Sequence, residues 1–248
     1  MPLHRFTGPE RPFQPCKCVG YWSVKTAMDG LAERLAAVRA RIERAAVRAR
    51  RDPAHILLLA VTKIFPAEAI HEAYALGLRD FGENYVREFE GKAPSVSPLA
   101  GARFHLIGHL QSNKAAKAAE LFQVVQTVDS AKLARRLNDA GRALDVMLEV
   151  KLSQEEAKSG VDPGGVPALI EAVQACANLR LRGLMTMPPW SEDPEAPRAY
   201  FRSLRELAEA HGLGELSMGM SNDLETAIEE GSTCVRVGTA LFGKRRKD

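Results

Sequence analysis

A chain of 248 residues with 46% hydrophobic and 26% charged side chains has the length and composition of one large α/β domain or two small ones. Its formal net charge of +3 resides in residues 1–28, where Arg5, Arg11, Lys17 and Lys25 outnumber Glu10; the remainder is neutral, which argues against nucleic acid as the main partner. No apolar run reaches membrane-spanning length, and Cys16, Cys18, Cys176 and Cys234 show no zinc spacing and are too few for a disulfide framework, so a reducing cytoplasm is the expected setting.

Residues 1–27 are rich in proline and glycine without periodicity and contain no apolar segment of signal-peptide type. They read as a disordered extension, or as an upstream start ahead of a beginning at Met28. Asp29 is expected to cap a helix over 30–50, with Leu31, Leu35, Val38 and Ile42 on one face. The run from Ile56 to Thr62 is apolar and of strand length, as for a strand covered on both faces, and it ends on Lys63 shortly before Pro66. The chain then alternates. Strands are expected at 56–62, 80–83, 103–107, 124–128, 145–150, 181–186, 215–218 and 234–237, and helices at 67–77, 85–91, 112–121, 130–141, 164–177, 195–210 and 222–230. Eight strands with helices between them point to an α/β protein, a single closed (β/α)8 TIM-like barrel with an additional N-terminal helix, over 28–248. The tail Lys244-Arg245-Arg246-Lys247 reads as a solvated basic run.

In such a barrel the segments after each strand gather at one mouth. A partly desolvated lysine there loses its proton more easily and can attack a carbonyl, so Lys63 is a candidate nucleophile, against the plainer reading of a solvated strand-end lysine. The loops after strands seven and eight carry Ser221 and Asn222, expected to open a helix, and Gly238-Thr239, with unobstructed amides and a hydroxyl. Amide donors and a helix amino terminus suit a phosphate dianion. Arg236, on the last strand and facing the same mouth, suits a pyridine nitrogen that is to stay unprotonated, or else pairs with a barrel carboxylate. A lysine and a phosphate cradle in one cavity suggest an aldehyde carrying a phosphate: pyridoxal 5′-phosphate, or an aldolase substrate.

Six segments in order carry a resemblance: Leu59 to Lys63, Phe81 to Val86, Phe104 to Lys114, Leu181 to Met185, Leu216 to Ser221 and Val235 to Gly243. From about residue 29 to 245 the chain resembles the pyridoxal phosphate homeostasis protein family, the YggS/PROSC group. The resemblance implies a barrel similar to that of alanine racemase and pyridoxal 5′-phosphate as cofactor. It implies that Lys63 forms the Schiff base, that Asn84 lies close to the cofactor ring, that Met218, Ser221, Gly238 and Thr239 contact the phosphate end, and that Arg236 partners the pyridine nitrogen. The family usually has a second lysine two residues after the cofactor lysine, where Phe65 stands here, and often two acidic residues after Ser221, where Asn222 and Asp223 stand.

The resemblance implies binding without a settled reaction. Racemisation would need a base on each face of the substrate Cα. Lys63 supplies one, but Tyr85, the tyrosine nearest the mouth, reads better as a packing residue at a helix start. A reversible, monomeric carrier is therefore expected, handing the cofactor to apo enzymes, with no metal and no catalytic residues of its own. A cofactor-dependent racemase or lyase and a colourless Schiff-base aldolase are the alternatives. Lys158, after the fifth strand, is a candidate second amine for loading or release against a solvated loop lysine, and His109 a candidate mouth residue against a structural histidine.

Overall fold

Strand β1 (Leu57–Val61) pairs in parallel with β2 (Asp80–Glu83) on one side and with β8 (Cys234–Val237) on the other. Between these neighbours β3 (Arg103–Leu106), β4 (Val124–Val128), β5 (Leu144–Glu149), β6 (Leu179–Met185) and β7 (Glu215–Met220) pair in chain order and close the barrel. The computed structural model describes residues 30–153 and 159–243. The leader 1–27, the expected cap Asp29, Lys158 and the tail 244–247 lie outside the described residues.

Helix α1 (Leu31–Arg48) buries Leu31, Leu35, Val38 and Ile42, the face that its sequence spacing sets out, and begins after Gly30, whose φ of 85° suits a residue without Cβ. The crossovers carry α2 (Ala67–Ala75), α3 (Val86–Val96), α4 (Ala115–Leu121), α5 (Ala131–Asn138), α6 (Val166–Gln174), α7 (Arg198–Ala210) and α8 (Leu224–Glu229), and α9 (Thr239–Phe242) follows β8. One contiguous core lies between strands and helices, with Phe81, Phe89, Phe104 and Phe122 in a chain of stacked and tilted ring contacts within it.

The barrel interior is a different environment. Leu57, Leu59, Val61, Ile107 and Cys234 form a small apolar layer, and Gly82 leaves the space for it: a Cβ there would meet Ile107 at 3.0 Å and Leu59 at 3.2 Å. Beside this layer runs a string of polar side chains. The Arg236 guanidinium donates to Ser217 Oγ (2.8 Å), Ser217 stands 2.6 Å from Gln126 Oε1, Gln126 Nε2 lies 3.1 Å from His105 Nδ1, and His105 Nε2 lies 2.9 Å from Asp80 Oδ1.

Three expectations are corrected. Strand β7 runs to Met220 rather than 218, with Gly219 at φ 90° and a shifted register against β8. Ser221 and Asn222 precede α8 instead of opening it: Asp223 takes the cap position, and its carboxylate accepts from the Met220 amide at 2.6 Å. Helix α3 continues past 91 to Val96, carrying Pro94 in its last turn.

Candidate functional site

At the carboxyl end of the strands a cavity of about 570 Å³ is lined by Lys63, Asn84, Ser221, Arg236, Gly238 and Thr239, together with Phe65, Ile107, Met187, Trp190, Met220 and Asp223. The lysine thus shares its cavity with the residues expected to hold a phosphate. Lys63 is half-buried in the turn after β1. Asn84 follows β2, and its Oδ1 is buried without a hydrogen-bond partner among the described residues. A buried acceptor without a partner is costly, and a ligand donor entering the cavity would remove that cost.

Arg236 is held from behind. Nη1 donates to the Ser217 carbonyl (2.7 Å) and to Ser217 Oγ (2.8 Å), and Nη2 to the Thr186 carbonyl (2.9 Å). No carboxylate among the described residues pairs with it, so the expected alternative of a barrel ion pair is not what the structure shows. Burial lowers its pKa, opposed by the charges of Cys234, Asp223 and Glu149. A guanidinium fixed by neutral acceptors keeps its positive potential available to the cavity.

The expected phosphate end is made largely of backbone. Neither the Gly238 nor the Thr239 amide donates to a backbone carbonyl of the described residues, and Ser221 Oγ accepts from the Ala240 amide at 3.2 Å. Helix α9 has four residues, so it is these uncommitted amides, more than an axial dipole, that suit a dianion. Asn222 does not serve the α8 start; its side-chain amide reaches the Ser191 and Glu192 carbonyls at 3.1 and 3.3 Å and ties two mouth loops together.

Met218 is not brought to the site. It is fully buried in the core between strands and helices, and Met220 lines the cavity instead. The left-handed Gly219 between them is the cause, because it breaks the side-chain alternation that would otherwise carry on along β7. Tyr85 is 56% exposed and does not line the cavity. His109 also stays out of the lining, with Nδ1 3.5 Å from Asp129 Oδ2.

Sequence reasoning missed Glu149, at the end of β5. Its Oε2 is buried without a partner among the described residues, and its pKa is pushed up to about 7 by burial and then by Asp129, against the pull of Arg236. The alternation Asp145, Met147, Glu149 carried that signal, since every second residue of a barrel strand faces inward.

The family model described as the N-terminal domain of alanine racemase matches residues 34–246. A pyridoxal phosphate homeostasis protein of Pseudomonas aeruginosa is 51% identical over 224 residues, which cover 88% of this chain and 97% of that one. The pyridoxal phosphate homeostasis protein of Escherichia coli K12 is 43% identical over 232 residues, 88% of this chain and 98% of that one. Among solved structures, PipY of Synechococcus elongatus PCC7942 with pyridoxal phosphate bound has a TM-score of 0.76 at 39% identity, over 86% of this chain and 100% of that one. With a matching barrel, a matching family model and relatives alike over nearly their full length, the chain belongs to the pyridoxal phosphate homeostasis protein family.

Proposed function

We propose that the protein binds pyridoxal 5′-phosphate at the barrel mouth, with Lys63 as the amine that joins the aldehyde, and releases it to acceptors within the cytoplasm. The observation that carries this reading is one cavity of about 570 Å³ that holds Lys63, the orphaned Asn84 Oδ1, Arg236 and the open amides of Gly238 and Thr239. When bound, the cofactor supplies an aldehyde that condenses reversibly with an amine. The chain supplies the rest: Gly238, Thr239 and Ser221 take the phosphate, Asn84 lies beside the ring, and Arg236 faces the pyridine nitrogen. A cation at that nitrogen keeps it unprotonated and weakens the ring as an electron sink.

The same features favour a carrier over an enzyme. Tyr85 stands away from the cavity, so among the described residues no tyrosine lines it as a second base opposite Lys63. The carrier is proposed to act as a monomer, with apo enzymes that use this cofactor as acceptors. Among the described residues no helix is long and apolar enough to cross a membrane, and no group of histidine, cysteine or acidic side chains is placed to hold a metal.

The test is borohydride trapping. Loaded protein should show a visible absorbance band that borohydride bleaches while it fixes the cofactor mass on Lys63, and Lys63→Ala should lose both. A colourless protein, or mass fixed elsewhere, overturns the reading. Turnover of a free amino acid by the loaded protein would replace the carrier with the racemase or lyase alternative.

A further inference from the structure

We propose that Lys92, Glu88 and Glu83 are positioning residues for Lys63: they hold the peptide units on both sides of it and so set the direction from which its amine enters the cavity. The proposal rests on the assignment of Lys63 as the cofactor amine. Lys92 projects from α3 and is 8% exposed, an unusual place for a lysine. An ammonium group has three N–H donors, and all three are used: on the Thr62 carbonyl at 3.0 Å, on Glu83 Oε1 at 2.9 Å and on Glu88 Oε1 at 2.6 Å.

Two of those acceptors reach back to the same turn. Glu83 Oε1 also accepts from Thr62 Oγ1 at 2.8 Å, and Glu88 Oε1 also accepts from the Ile64 amide at 2.6 Å. The Thr62 carbonyl belongs to the peptide unit before Lys63, and the Ile64 amide to the unit after it. Fixing both planes fixes the backbone dihedrals of Lys63, and with them the direction of its Cβ. The node acts at the one residue whose orientation decides the chemistry.

The backbone shows that this turn is held against its own preference. Ile64 has a φ of 69°, a left-handed conformation that a β-branched residue rarely adopts. Ile64 is 57% exposed, so burial of its side chain does not impose that conformation, and the Glu88 carboxylate on its amide helps to hold it. The sharp reversal directs the chain away from the line of β1 immediately after Lys63.

Joining the amine to the aldehyde replaces the C=O bond by a C=N bond, the oxygen leaving as water with the two amine protons, and it requires the nitrogen on line with the carbonyl carbon. Pyridoxine 5′-phosphate has the same ring and phosphate but an alcohol in place of the aldehyde, so it cannot join the amine. A positioning role and a merely structural one therefore predict different results for the two ligands. For Lys92→Met and Glu88→Ala, the dissociation constant for pyridoxal 5′-phosphate should rise about tenfold or more, with slower borohydride-fixable attachment at Lys63, because small misplacements of a reacting group are costly. Binding of pyridoxine 5′-phosphate should stay within about twofold of the parent. Glu88→Gln, which keeps an oxygen for the Ile64 amide, should recover most of the attachment rate. Equal weakening of both ligands, or no change in either, overturns the proposal. Circular dichroism identifies a variant that does not fold; should Lys92→Met be one, Glu88→Ala decides, since the Glu88 side chain is 25% exposed at the rim of the node. A parent protein that binds both ligands without fixing mass on Lys63 would overturn the cofactor reading instead.

Discussion

Glu149, at the carboxyl end of β5, is a buried carboxyl group in an unfavourable electrostatic setting. Burial, helped by Asp129, raises its pKa to about 7, while Arg236 draws it the other way, and one of its oxygens has no partner among the described residues. A carboxyl group whose folded pKa lies above its unfolded value contributes stability that is fully present below the unfolded value and lost as pH rises through the folded one. At pH 8 the folded state bears the cost of an ionised, poorly solvated carboxylate; toward pH 4 that cost is gone. Glu149→Gln should therefore stabilise the cofactor-free protein at pH 8 by about 2–3 kcal/mol, and the advantage should shrink to below about 1 kcal/mol at pH 5. Chemical denaturation of parent and variant at the two pH values measures it, and a difference that does not change with pH contradicts the argument. The carboxylate was visible in the strand pattern, but its stress was not, because it arises from burial in the closed barrel and from Asp129, just past the end of β4.

At the scale of elements, the helix that lies outside the eightfold repeat has a part in the site. Arg41 on α1 donates to both Glu225 oxygens, at 2.6 and 2.7 Å, and to the Ser221 carbonyl at 3.0 Å, so α1 secures the loop that bears Ser221, the proposed phosphate contact. The ion pair is partly exposed and stabilises the fold by no more than about 1 kcal/mol. Its larger effect is local. Arg41→Ala should leave the melting temperature within a few degrees of the parent, yet weaken pyridoxal 5′-phosphate and pyridoxine 5′-phosphate alike by about threefold to tenfold, since both use the same phosphate contacts. Isothermal titration with the two ligands measures this, and unchanged affinity for both would show that the loop holds itself. The helix was legible from the spacing of Leu31, Leu35, Val38 and Ile42. Its partner was not, because a ridge of apolar residues specifies burial without naming the surface that covers it. The same limit accounts for Met218. Alternation along β7 gives the two faces, but only the left-handed turn at Gly219 decides which methionine reaches the cavity.

Across the whole molecule, the closed barrel was legible because eight apolar runs with helical patterns between them leave little else to build, and the mouth followed from strand direction. The interior polar string was not, since its members lie on five different strands and no spacing in the sequence joins them. Its hydrogen bonds nevertheless have one sense. The Arg236 N–H groups donate, so Ser217 Oγ accepts from them and its own proton goes to Gln126 Oε1. That fixes the Gln126 amide, whose Nε2 donates to His105 Nδ1, and leaves the His105 Nε2–H for Asp80. His105 must then be neutral and protonated at Nε2. Burial, its largest influence, lowers its pKa in the same direction, and the nearby charge of Arg103 adds to this, while Asp80 and Asp145 oppose it. Nitrogen chemical shifts of the ring should accordingly show a neutral Nε2–H tautomer that does not titrate between pH 8 and pH 5.5. Gln126→Leu removes the central link and leaves the Ser217 hydroxyl and His105 Nδ1 without their partners, which should cost about 3 kcal/mol of unfolding free energy. It also removes the group that orients Ser217 behind Arg236, so the absorbance band of the loaded protein should shift. A histidine already protonated at pH 6.5, or a Gln126→Leu protein as stable as the parent with an unmoved band, would mean that the string fills the barrel without fixing the guanidinium at its end.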